Sequence, residues 1–273
     1  MKVRMLIPLA MAALLLGGCM SGYRGANKSS LVEFLYPDTN GVVATPGMPR
    51  LELPLRVGVA FTPAQLVVEG GPTAALKETL ARDVVREFEA LEFVDTIQVI
   101  PSDYLRPRGG FANVDQLRSL FGVDVIVLLS YDQGMFTSEG LSSLTYWTIV
   151  GAYLVPGNKN DTQTLLDAAV FDIESRTLLF RAPGASVVES HSTPIANPDQ
   201  LREDSIRGFT EAATDLKQNL KTELATFQQR VKDEPARFAV STRPGYTGSG
   251  SSEGIFLLMV VLAICLVRRN HDA

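Results

Sequence analysis

Cysteine is nearly missing from this chain: Cys19 and Cys265 are the only two, one near each end. Histidine is as scarce, with His191 and His271 alone, and Trp147 is the single tryptophan. No disulfide can staple the region between the two cysteines, so that region must hold together by packing. A cysteine–histidine nucleophile is excluded on the same ground, and a serine–histidine–acid triad would have to use His191. Positive charge is also in short supply. The chain carries 25 Lys and Arg against 30 Asp and Glu; setting aside Lys2 and Arg4 near the start leaves 23 against 30, a net of −7. Such a balance argues against nucleic acid or an anionic lipid surface as a partner.

What is present is concentrated at the two ends. Lys2 and Arg4 precede an apolar run from Leu6 to Leu16 that contains Pro8, and Leu16-Gly17-Gly18-Cys19 follows at once. That is a secretory signal peptide, residues 1–18, closing on a lipobox. Small residues at Gly17 and Gly18 let a peptidase reach the backbone between Gly18 and Cys19. The Cys19 thiol takes the diacylglycerol, and the amine freed by cleavage takes a further acyl chain such as palmitate. Each buried methylene contributes about 0.8 kcal/mol, so several chains anchor stably.

The other end runs Gly248-Ser249-Gly250-Ser251-Ser252, then Glu253-Gly254, the apolar block Ile255 to Val267, and Arg268-Arg269. Thirteen residues span roughly 20 Å as a helix against a hydrocarbon core of roughly 30 Å. The block has no polar face, which sets it apart from a terminal core helix. The paired arginines stay cytoplasmic, which leaves everything before Glu253 outside. Two membrane instructions in one chain conflict, because Met20 after the lipidated cysteine resembles the pattern sorted to the outer membrane. Proteolysis of the tail resolves the conflict, and Gly and Ser beside the block favour the unwound backbone such a cut needs.

This tail resembles the GlyGly-CTERM sorting signal recognised by rhombosortase, a rhomboid-type protease. Together with the lipobox it makes the chain similar to the rhombotarget, or rhombotail, lipoprotein family. The resemblance implies cleavage within Gly248, Ser249, Gly250, Ser251 and Ser252, with onward export. Ser249 separates Gly248 from Gly250, so no adjacent glycine pair marks the bond.

Between the ends, residues 19–54 read as tether and loop, rich in Gly, Ser, Asn and Pro. Leu31, Val32, Phe34, Leu35 and Tyr36 interrupt them, either as a segment pinned on the domain or as a patch for a partner. Residues 55–234 read as one α/β domain. Leu55 to Phe61 alternates as a strand, Thr73 caps a helix carrying Leu76, Leu80, Val84, Phe88 and Leu91, and Phe93 to Ile100 is a second strand. Asn113 and Gln116 form a capping box for a short helix with Leu117, Leu120 and Phe121, and Val123 to Ser130 is a strand apolar on both faces. Residues 134–157 hold apolar and aromatic side chains, either core or a surface for an oligomer or pore partner. Thr162 to Ile173 and Thr177 to Ser190 form a hairpin through Glu174-Ser175-Arg176. Asn197, Pro198 and Gln200 then start a long amphipathic helix with Phe209, Ala213, Leu216, Leu220, Leu224, Phe227 and Val231 on one side, ending before Pro235. Residues 235–254 read as a Pro/Gly/Ser linker, and 255–273 as the membrane helix with its basic end.

The order β-α-β-α-β, then hairpin and helix, predicts a parallel or mixed sheet in two or three layers. Over Leu55 to Val231 it resembles the α/β domain of periplasmic lipoproteins related to the curli secretion lipoprotein and to neisserial lipoproteins of unknown function. That resemblance carries no catalytic residues.

Candidate chemistry is thin. His191 lies in Glu189-Ser190-His191-Ser192-Thr193-Pro194, read as a hairpin-exit loop, with a hydrolase as the alternative. Asp124, Asp132, Asp167 and Asp172 sit near strand ends without the density a Ca²⁺ loop requires. Gly157-Asn158-Lys159-Asn160-Asp161 reads as a turn. Gly70-Gly71-Pro72 before a helix lacks the Lys-Ser/Thr pair of a phosphate loop. The expectation is a non-enzymatic lipoprotein without cofactor or metal, acting by binding or assembly at the outer membrane or cell surface. Its partners would be the acylation and signal-peptidase machinery, a rhomboid-type protease, and an envelope protein or a second copy. A permanently double-anchored inner-membrane protein is the remaining alternative.

Overall fold

A computed structural model describes residues 24–37, 47–64, 71–89, 91–139, 158–193, 195–244 and 246. Its centre is a mixed sheet in the order β4-β3-β5-β6-β7, formed by β3 (Leu55–Phe61), β4 (Val94–Val99), β5 (Val125–Glu139), β6 (Asn158–Asp172) and β7 (Thr177–Ser192). β3 runs parallel to both β4 and β5, whereas β5-β6-β7 is an antiparallel meander; β5 and β6 pair in continuous register from Val125 opposite Asp172 to Glu139 opposite Asn158, and the β6–β7 register shifts between Val170 and Phe171. A sixth strand, β1 (Arg24–Lys28), lies antiparallel along the later part of β5, beyond the reach of β3.

The alternation of β5 and β6 splits their side chains between two cores. Val125, Val127, Leu129, Leu166, Ala168 and Val170 face α2 (Ala74–Glu89) and α4 (Asn197–Asp233). Ile126, Leu128, Ala169 and Phe171 face α1 (Leu31–Leu35) and α3 (Gly110–Phe121). The fold is α/β in three layers, with the mixed sheet in the middle.

The expected helices α2 and α4 form where the apolar spacing put them. Leu76 N–H donates to Thr73 Oγ1 at 3.2 Å, and Leu80, Val84 and Phe88 are buried. Along α4, Phe209, Ala212, Leu216, Leu220 and Phe227 make the buried stripe. α4 can lie close because Gly184 of β7 offers no side chain: a Cβ there would sit 2.3 Å from the Ala212 carbonyl oxygen.

Several expectations are corrected. The segment expected as tether carries β1, α1 and β2 (Arg50–Leu53), and the segment expected as linker carries β8 (Ala239–Thr242), which pairs in parallel with β2. Among the described residues the domain therefore runs from Arg24 to Tyr246, past both ends of the expected 55–234. Phe34 and Leu35 are buried, so α1 is pinned on the domain. The Asn158–Asp161 stretch, expected as a turn, begins β6. Asn113 does not cap α3. It lies inside the helix, buried, and its amide ties down the preceding loop by accepting from Arg106 N–H at 2.7 Å and donating to the Tyr104 carbonyl at 3.1 Å. Asn197 is likewise the first helical residue of α4, with Ala196 at the cap, and its side chain accepts from Ser192. Residues 140–157 lie outside the described residues.

Candidate functional site

Under the first turns of α4 the sheet turns from apolar to polar on the same face. Gln133 of β5 donates from Nε2 to Thr164 Oγ1 at 2.9 Å and to the Ser205 carbonyl at 3.0 Å, and Ser205 Oγ donates back to Gln133 Oε1 at 2.7 Å. Thr137 donates to Asn160, whose amide donates to Ser192, whose hydroxyl donates to Asn197. The fully buried Asp204 accepts from the Ser190 hydroxyl, from Gln200 Nε2 at 3.0 Å and from Arg207 Nη2 at 2.9 Å. Gly208 lets the helix seat on this seam, since a Cβ there would lie 2.8 Å from Thr164 Oγ1. Buried polar groups must be answered, and a network answered this fully fixes one helix register. Among the described residues, Asn158 Oδ1, Asp161 Oδ1 and Thr162 Oγ1 at the same end of β6 find no hydrogen-bond partner.

His191 lies in β7 and not in a loop, with its side chain exposed. Successive strand residues point to opposite faces. Ser190 and Ser192 therefore turn under α4 while His191 turns to solvent, and neither serine is presented to the imidazole. Of the four aspartates expected near strand ends, Asp124 and Asp172 lie there while Asp132 and Asp167 fall inside β5 and β6, and all four are dispersed into separate contacts. Asp132 pairs with Lys28, Asp167 with Arg181, and Asp172 accepts from Arg50 N–H, Ser175 N–H and the Ser175 hydroxyl. Burial raises the Asp167 carboxyl above its ordinary range, with Arg181 opposing. Among the described residues no group of three or more His, Cys, Asp or Glu side chains could hold a metal ion.

A second polar feature lies near the carboxyl ends of β3 and of the parallel part of β5, where open α/β sheets commonly bind ligands. Lys77 Nζ donates to Tyr131 Oη at 3.1 Å and stands 4.2 Å from the centre of the Tyr131 ring. Burial lowers the Lys77 ammonium and raises the Tyr131 phenol from their ordinary values. The arrangement satisfies a half-buried cation with one ring. Gly71, Pro72 and Thr73 precede it and supply the start of α2.

The third feature closes the domain. β8 lies beside β2, and Arg243 N–H continues the ladder to the Leu53 carbonyl at 2.8 Å. The Arg243 guanidinium reaches Asp124 and Glu52, and Arg56 grips the same aspartate with two hydrogen bonds at 2.9 and 2.7 Å. Burial works against ionisation of Asp124, but the hydrogen bonds from Arg56 and Arg243 outweigh it and hold the carboxyl below its ordinary value. Tyr246 Oη then donates to the Glu92 carbonyl at 3.4 Å. This clasp ends two residues before Gly248.

Gly18, Cys19, the region Gly248 to Ser252 and both terminal apolar segments lie outside the described residues. Among the described residues no helix is long and apolar enough to cross a membrane. The clasp and the seam went unread in the sequence, though each left a trace. Asp124 stands between Val123 and Val125 in an apolar run, where a charge needs a partner. Asn158, Asn160, Thr162 and Thr164 are in phase with Leu166, Ala168 and Val170, the inward set.

No family model matches the chain, and no curated protein matches it. Among solved structures, similarity extends to a Helicobacter pylori protein provisionally assigned as a neuraminyllactose-binding hemagglutinin homolog. It is 8% identical with a TM-score of 0.37, covering 71% of this chain and 97% of its own. A Xanthomonas campestris protein of the DUF330 family is 16% identical with a TM-score of 0.32, covering 71% of this chain and 96% of its own. At these scores neither likeness carries an argument.

Proposed function

We propose that this chain is a lipid-anchored envelope lipoprotein that binds or assembles without catalysis, and that a rhomboid-type protease removes its C-terminal apolar tail. One observation carries this best: the last clasp of the folded domain, Arg243 on Asp124 and Tyr246 on the Glu92 carbonyl, ends just before the Gly/Ser run. A cut anywhere from Gly248 to Ser252 leaves β8, Arg243 and Tyr246, and with them the clasp, on the retained side. Acylated Cys19 would then be the sole anchor, at the outer membrane or the cell surface, with an envelope protein or a second copy as the partner.

Cell fractionation tests this. The wild-type chain, carrying an epitope after Ala273, should reach the outer-membrane fraction without the epitope, and Cys19→Ser should leave that fraction. A full-length, epitope-bearing chain stable in the inner membrane would favour the double-anchored alternative and overturn the proposal.

A further inference from the structure

The two ends of the described chain leave the sheet at opposite ends. Arg24 of β1 is paired with Phe136, near the finish of β5, while Arg243 is held by Asp124, just before β5 begins. Tyr246 stays at that second end, against the residue two before β4. Twelve residues of β5 separate Asp124 from Phe136, about 40 Å at about 3.3 Å per residue.

The chain outside these points is short. From Cys19 to Arg24 are five residues, at most about 17 Å, and from Tyr246 to Ile255 are nine, at most about 30 Å, however they are arranged. If the domain stood upright on its β1 end, Tyr246 would be about 40 Å from the bilayer and Ile255 could not reach it. If it stood on the Asp124 end, Arg24 would be as far away and Cys19 could not reach. With both anchors in one bilayer, the strand direction can rise no more than about 50° from the membrane plane.

From this we infer that the tail, while attached, keeps the domain tilted toward the bilayer, its strands within about 50° of the membrane plane, and that its removal lifts this limit and lets the domain stand on the end where β1 starts. The inference rests on the two-anchor reading above. Processing then does more than free the protein for export. It lifts the Asp124–Arg243–Arg56 end, with the β2–β8 pair and the starts of β3 and β4, clear of the membrane, where a partner can reach it. The acidic balance of the chain assists, since anionic lipid repels a recumbent acidic domain.

Fluorophores on single introduced cysteines report the two orientations. Ser138→Cys marks the β1 end and Asp95→Cys the other, both at exposed positions. Each variant is isolated in processed form and, from cells lacking the protease, with its tail, both in a Cys265→Ser background. Each is reconstituted into vesicles of phosphatidylethanolamine and phosphatidylglycerol containing a headgroup-quencher lipid. In the tailed form the label at 138 should be quenched and the label at 95, averaged over the permitted tilts, should be quenched well above a soluble control. In the processed form quenching at 138 should persist, while quenching at 95 falls at least threefold toward that of a soluble control. Equal quenching at 95 in the two forms, or stronger quenching at 95 than at 138 after processing, overturns the orientation change. Intact mass taken beforehand keeps the two levels apart: an unacylated Cys19, or a tail retained in wild-type cells, overturns the two-anchor reading and the inference with it.

Discussion

Gly184→Ala should unseat α4 from the sheet although it adds one methyl group. The new Cβ would lie 2.3 Å from the Ala212 carbonyl oxygen, 2.5 Å from Leu216 Cβ and 2.7 Å from Leu216 N, two of which are helix backbone atoms with no rotamer to change. Restoring ordinary contact requires α4 to retreat by about 1 Å, and a gap of that size forfeits a quarter to a half of each dispersion contact along it. Ala212, Leu216 and Leu220 of the buried stripe would feel it first. So would the bonds on either side, Ala185 N–H to Asp215 at 3.0 Å and Asn219 Nδ2 to the Pro183 carbonyl at 2.8 Å. Overpacking of this kind costs about 1–3 kcal/mol. Against it stands the smaller backbone entropy of alanine, worth about 0.5–1 kcal/mol in a strand. With backbone atoms on the receiving side the steric cost lies at the upper end of its range, about 3 kcal/mol, and after the entropy gain a net loss of about 2 kcal/mol is expected. At about 2–4 °C per kcal/mol for a domain of this size, Tm should fall by about 4–8 °C in thermal unfolding followed by circular dichroism. Gly122→Ala is the comparison: φ there is +66° and nothing lies within 4 Å of the added Cβ, so left-handed strain of about 1–2 kcal/mol, partly offset by the same entropy gain, is expected without any steric cost. An unchanged or higher Tm for Gly184→Ala would refute the claim that close approach at this glycine seats the helix.

Ser205→Ala removes the donor to Gln133 Oε1 and strands a buried acceptor, so denaturant unfolding should show a loss of about 1–3 kcal/mol. Asp124 has a folded-state pKa below its unfolded value, so its contribution is present above about pH 4 and is lost as pH falls through the lower folded value. Asp124→Asn should therefore be less stable than wild type at pH 6, with the difference shrinking on acidification toward pH 2; a constant difference would count against the Arg56–Asp124–Arg243 clasp. Ending the chain after Tyr246 should leave Tm within about 1 °C of the tailed protein, whereas ending it after Pro235 removes β8 and Arg243 and should lower Tm by several degrees.

Legibility followed sequence distance. β3, β4, β6, β7, α2 and α4 were readable because each bears its own apolar period, as in the steps from Phe209 to Phe227. The β2–β8 pair was not, because four-residue strands nearly 190 residues apart meet only when α4 has turned back along the sheet, and no local pattern encodes that. β1, Arg-Gly-Ala-Asn-Lys, has no apolar alternation and is fixed by pairing to β5. The seam is hidden in the sequence for a different reason. Asn158, Asn160, Thr137 and Ser192 have the composition of a turn or an outer face, yet they are buried and answer one another across strands. Asn113 misled in the same way, since an amide that ties a loop from inside a helix has the same spacing to Gln116 as one that caps it.

Intact-mass spectrometry of the protein purified from envelope membranes tests the central claim most directly. A chain that starts at an acylated Cys19 and ends between Gly248 and Ser252 is the predicted result. A species that still carries Ile255 to Ala273, or a Cys19 without acyl mass, would contradict it.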